Sequence, residues 1–223
     1  MVSGNTERIV KEYLEFINSG DFPCIAAKAA VQNETIKCLV AGHIACPADD
    51  TRILEFLYEF VDDYRQSDKP YQSAVIIFDE YANLSEELFD SFLWQRLQAL
   101  SNMDALKYKY DSRVSPDVES AFFSFSIKEE AFYIIGLHPS SSRLARQFKY
   151  PAMVFNPHAQ FEELRRTNKF ENIKKAIRKR DIALSGSVNP MLVDFGEMSE
   201  AFQYSGRQYD STWQCPFKTD NHQ

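Results

Sequence analysis

Residues 121–137 read AFFSFSIKEEAFYIIGL. Apolar, aromatic-rich runs at 121–126 and 131–137 flank Lys128, Glu129 and Glu130, so this stretch predicts an antiparallel hairpin. Downstream, residues 152–155 are expected as another apolar strand, delivering Asn156, Pro157 and His158. His158 opens a helix to Arg165, a second helix covers 170–183, and 143–148 is a short helical stretch. Upstream, residues 6–17 place Ile9, Val10, Tyr13, Leu14, Phe16 and Ile17 at helical spacing, with Gly20 as the stop. Residues 24–31 and 35–41 are expected as two strands turning at Gln32 and Asn33. Asp49 or Asp50 caps a helix to Gln66, with Ile53, Leu54, Leu57, Phe60 and Val61 inward. AVIIF at 74–78 is a buried strand. Ser85 caps a helix to Leu100, with Glu86 and Glu87 in its first turn, and a polar loop spans 107–117. Hairpins mixed with helices, without regular alternation, give an α+β class: a mixed or antiparallel sheet with helices packed on it. The length fits a single domain over residues 1–223. Residues 185–217 lack periodicity yet are dense in aromatics, Gly and Pro, which suits an irregular segment wrapping a site.

The composition narrows the function. Apolar residues make up 44% and the chain holds 18 Phe and 11 Tyr, enough for a large core and an apolar cavity. A formal net charge of −7 is not the field of a non-specific nucleic-acid binder. The basic run KKAIRKR, residues 174–180, sits in a helical pattern and is expected as a solvated face. No secretory signal is visible, and no run reaches the ~20 apolar residues of a membrane span, so a cytoplasmic protein without membrane contact is expected. The four cysteines lack zinc spacing. GxSxG, HExxH, GxxxxGK[ST] and dinucleotide-binding fingerprints are all missing.

The chemistry-bearing types concentrate between Gly136 and Arg166. His138 is followed by Pro139 and His158 is preceded by Pro157, so both imidazoles leave restricted backbone. Arg143, Arg146, Arg165 and Arg166 accompany them. Held imidazoles among guanidinium groups, with Phe122, Phe123, Phe125, Phe132 and Phe155 nearby, suit a flat, anionic, iron-bearing ligand such as haem; they equally suit structural packing. His158 is the preferred iron ligand, with Gln160 or Glu162 in reach of its second nitrogen. His138 and Cys215 are the alternatives. Ser142 and Arg143, after His138, read as a propionate-binding turn, with Arg146 and Arg165 as further cofactor contacts. His43 is a candidate for the distal side or for support of the ligand.

FPCIAAKAA (22–30), AFYIIGLHPSSSRLARQF (131–148), VFNPHAQFEELR (154–165), RDIALSGSVNPMLVDFGE (180–197), QYSGR (203–207) and WQCPF (213–217) resemble the YqcI/YcgG family of bacterial proteins. The resemblance implies a soluble haem protein. Characterised members are haem-dependent N-hydroxylases of guanidino compounds, namely arginine and a cyclic-guanidine relative in guanitoxin formation. It therefore implies a monooxygenase holding haem b, using O2 and an external electron donor, on a small guanidino or amine substrate. Without CxxCH, covalent attachment is not expected. A guanidinium calls for a buried carboxylate, for which Asp194 and Glu197, then Glu200, are the candidates. The rival reading is a non-catalytic haem carrier or sensor. The oligomeric state is left open, a homodimer included.

Overall fold

The structure is a computed structural model that describes residues 4–80, 84–187 and 195–219. Among these, five strands form one mixed sheet in the order β1-β2-β5-β4-β3. They are β1 (Ile36–His43), β2 (Ser73–Glu80), β3 (Phe125–Ile127), β4 (Glu130–Leu137) and β5 (Ala152–Pro157). β1 and β2 pair in parallel around helix α3 (Asp50–Arg65), and the remaining pairs are antiparallel. With helices packed around it, the fold is α+β.

Alternation along the strands divides the core into two layers. Ile76 and Phe78 of β2, Phe132 and Ile134 of β4, and Met153 and Phe155 of β5 face α3 and α4 (Glu86–Asp104). Tyr204 and Phe217, from the C-terminal stretch, join that layer. Val75, Ile77, Leu137, Ala152 and Val154 point the other way, toward α1 (Gly4–Asn18) and α2 (Ile25–Gln32). Helices α5 (His158–Arg166) and α6 (Phe170–Ser185) follow β5.

The expected inward set Ile53, Leu54, Leu57, Phe60 and Val61 is buried. Ser85 caps α4 by accepting from the Leu88 N–H. One expectation fails: residues 25–32 are a helix, not a strand. IAAKAAVQ is half alanine, the strongest helix former, and Cys24 Sγ accepts from the Ala27 N–H at its start. β3 also begins later than expected, at Phe125. The hairpin turns on Lys128 and Glu129, both with positive φ, 52° and 56°. This is the backbone of a two-residue primed turn, usually occupied by Asn and Gly. Here it is held from outside. The Asp104 carboxylate accepts the Lys128 N–H, and Arg65 donates to the carbonyls of Lys128 and Glu129.

Candidate functional site

A cavity of about 300 Å³ lies on the α1–α2 side of the sheet, bordered by β4, β5, α5 and α6. Its wall is largely apolar, with Tyr13, Ile17, Phe22, Ile135, Val154 and Phe161 prominent. Its size is that of a small-molecule pocket. Polar groups nevertheless reach the wall, and two of them meet there from α5 and from the C-terminal stretch.

The first is His158, the opening residue of α5. β5 and Pro157 set its backbone, and its ring contacts Phe195 at 4.3 Å between centroids. Nε2 is buried and has no hydrogen-bond partner among the described residues. Burial pushes the imidazole down to about 4, so at neutral pH it carries no charge. The second is Glu200, at the start of a short 3-10 turn, Glu200–Gln203. Its Oε1 lies 3.7 Å from His158 Nε2. Burial pushes its carboxyl up to about 8, against the opposing effect of hydrogen bonds with Ser124 and Tyr204. The contact is therefore a neutral acid beside a neutral imidazole, not an ion pair. The Tyr204 hydroxyl, 3.2 Å from Glu200 Oε2, accepts the Phe125 N–H and ties this corner to the hairpin.

A neutral imidazole nitrogen without a partner is the form that ligates a metal. Among the described residues no three His, Cys, Asp or Glu side chains gather to hold a bare ion. Iron carried in a porphyrin needs only one such group from the protein. The unpartnered His158 imidazole is a donor of the kind such a cofactor would need.

The sequence profile of the YqcI/YcgG family matches residues 13–218. The chain belongs to the YqcI/YcgG family. A relative from Bacillus subtilis strain 168, described as the uncharacterized protein YqcI, is 28% identical over 206 residues, 88% of this chain and 80% of the relative. No solved structure matches.

The YqcI/YcgG pieces of the sequence converge unequally on the cavity. VFNPHAQFEELR supplies Val154, Asn156, His158, Gln160, Phe161, Leu164 and Arg165 to its wall. Of AFYIIGLHPSSSRLARQF, Tyr133, Ile135, Leu137 and Arg146 line it, whereas His138 and Ser142 do not. His138 is fully buried, stacked on Phe89 at 4.3 Å, with neither ring nitrogen hydrogen-bonded among the described residues. Ser142 binds Glu86 through its N–H and hydroxyl, and Arg143 pairs with Asp181 at 2.8 Å. Arg146 reaches the wall, but its guanidinium donates to the carbonyls of Gly136, Gln203 and Tyr204. Arg165 lines the cavity, pairs with Glu162 and lies over the Phe170 ring at 4.4 Å.

Several supporting expectations give way. Gln160 does not serve His158: its amide pairs both ways with the Gln72 backbone, and Glu162 is taken by Arg165. The apolar box is not Phe123, Phe125, Phe132 and Phe155, which alternation turns to the opposite layer. Phe122 is exposed and packs on Phe195. His43 accepts from the Ala45 N–H and meets Phe92, away from the cavity wall. Cys215 packs beside the opposite core layer, and burial pushes its thiol up to about 12, which disfavours a thiolate. Asp194 lies outside the described residues, Glu197 is exposed, and Glu200 is the carboxyl that reaches the cavity. Nothing in an aperiodic segment ranks Glu200 above Glu197; the 3-10 turn does so in three dimensions.

Proposed function

We propose that this family member binds haem b in the cavity, with His158 as the iron ligand, and N-hydroxylates a small guanidino or amine compound. The single observation that carries the reading is the unpartnered, buried Nε2 of a neutral histidine in an apolar wall. Haem, when bound, supplies the iron at which dioxygen is reduced. In the overall reaction one oxygen atom enters a substrate N–H to give N–OH. The other leaves as water, with two electrons and two protons from an external donor.

The chain's own residues bind, orient and exclude water. His158 presents a nitrogen that needs no deprotonation. Phe161, Phe195 and Tyr13 keep the cavity apolar. With iron held at Nε2, Glu200 would lie beside the ligand imidazole, so its neutral carboxyl, fixed by Tyr204 and Ser124, orients that ring rather than the substrate. The overall charge of −7 favours approach of a cationic substrate, weakly at physiological salt. Arginine and related amines titrated into haem-loaded protein are expected to shift its absorbance and, with O2 and reductant, to give N-hydroxylated product. Glu200→Gln is expected to change the absorbance of the haem-loaded protein itself while leaving the midpoint of the arginine titration in place. A haem-loaded protein that ignores every such compound is a carrier or sensor instead.

A further inference from the structure

The basic run at residues 174–180 does not form the uniformly solvated face its sequence suggests. Lys175 and Lys179 are exposed, and Arg180 donates to the carbonyls of Gly20 and Phe22. Lys174 and Arg178 turn inward. With Phe170, Ile173 and Ile177 they give α6 a face at helical spacing that borders the cavity rather than a packed core. Arg178 Nε is buried with no hydrogen-bond partner among the described residues. Around Phe170, Arg165 of α5 and Lys174 of α6 lie 4.4 and 5.7 Å from the ring centroid. Three cations therefore line one side of an apolar cavity in a chain of net charge −7. Lys174 and Arg165 have acidic neighbours on their own helices, Glu171 and Glu162. The Arg178 Nε–H is a buried donor still lacking an acceptor, which folding alone does not favour.

We propose that Arg178 and Lys174, with Arg165, form a carboxylate clamp that takes an acid group of the cavity's ligand. A guanidinium fork and a neighbouring ammonium suit a carboxylate in two-point geometry. Under the haem reading, on which the clamp's location rests, two sources carry that chemistry: a porphyrin propionate, or the α-carboxylate of an amino-acid substrate.

The test uses the full chain with Arg178→Gln, Lys174→Gln and Arg178→Lys, each checked for an unchanged melting temperature. Iron-free protoporphyrin IX and its dimethyl ester are titrated by fluorescence. In haem-loaded protein, arginine and arginine methyl ester are titrated by absorbance. Preference for free acid over ester of about tenfold in the wild type is expected in at least one arm. Arg178→Gln abolishes it there, and Arg178→Lys restores part. Preference in the porphyrin arm assigns the clamp to propionate; preference only in the arginine arm assigns it to substrate. A wild type without preference in either arm, or an Arg178→Gln variant that keeps it, overturns the clamp. If the porphyrin arm shows the clamp while haem gives no Soret band, the iron-ligand reading fails and the clamp stands.

Discussion

His138 and His158 have similar sequence surroundings and different three-dimensional ones. Each follows or precedes a proline at the end of a strand, so the chain alone gives little reason to separate them. Strand alternation and the first turn of α5 send His158 into the cavity wall, whereas His138 stacks on Phe89. Both are pushed down to about 4 from 6.5 by burial, so the unfolded chain binds protons there that the folded protein refuses. Stability is therefore complete above pH 6.5 and falls as pH drops toward 4. Glu200, pushed up from 4.5 to about 8, acts in the opposite sense: its contribution is complete below 4.5 and fades as pH rises toward 8. Asp104, pushed up from 3.8 to about 6 by burial, acts with Glu200 and offsets the two histidines between pH 4.5 and 6. Urea midpoints are therefore expected to fall as pH rises from 6.5 to 8; Glu200→Gln should flatten that limb, and an unchanged slope would refute the assignment. Gly136 is a second residue whose role only the fold reveals. A Cβ there would sit 2.6 Å from the Phe89 ring and 2.8 Å from Leu93. Gly136→Ala is expected to cost about 1–3 kcal/mol by overpacking, measured by denaturant melting.

At the level of elements, long periodic helices are legible, and so are the apolar runs 35–41, 74–78, 131–137 and 152–155 as strands; the run at 24–31 is not. The burial face of α3 and the cap of α4 follow directly from spacing and from Ser85. α2 is too short for period to distinguish helix from strand, and alanine content was the stronger cue. The hairpin was legible from its two apolar flanks, but its turn type was not, because Lys128 and Glu129 are unusual where φ is positive. Asp104 and Arg65, distant in sequence, hold that turn. Glu129→Gly is therefore expected to stabilise the protein by up to about 1 kcal/mol, by removing the left-handed penalty of a non-glycine residue. A lowered denaturant midpoint would show that the Glu129 side chain matters more than its backbone. The run 174–180 illustrates the converse limit: composition marks it as basic, while only packing separates Lys174 and Arg178 from Lys175 and Lys179.

The whole molecule closes through its C-terminal stretch. Tyr204 and Phe217 fill the α3–α4 layer, while Glu200 and Gln203 reach the cavity on the other side. Arg146 fastens this stretch to β4 by donating to the carbonyls of Gly136, Gln203 and Tyr204, at 3.1 Å each. Its burial lowers its pKa, yet no acidic side chain takes those hydrogen bonds. Arg146→Leu is expected to lose about 3 kcal/mol and to expose the stretch beyond residue 199 to protease, because three charged-donor bonds disappear together. The sequence marked this segment as a wrap by its aromatics without periodicity. Where it docks depends on Arg146, a residue whose sequence surroundings suggest a cofactor contact instead. Haem titrated into the purified full chain tests whether His158 offers its ring to haem iron. A saturable Soret band at one equivalent per chain is expected, with His158→Ala folded but losing that band or showing weakly held, water-ligated iron. A wild type without the band contradicts the claim, as does a band that survives His158→Ala but not His138→Ala or Cys215→Ala.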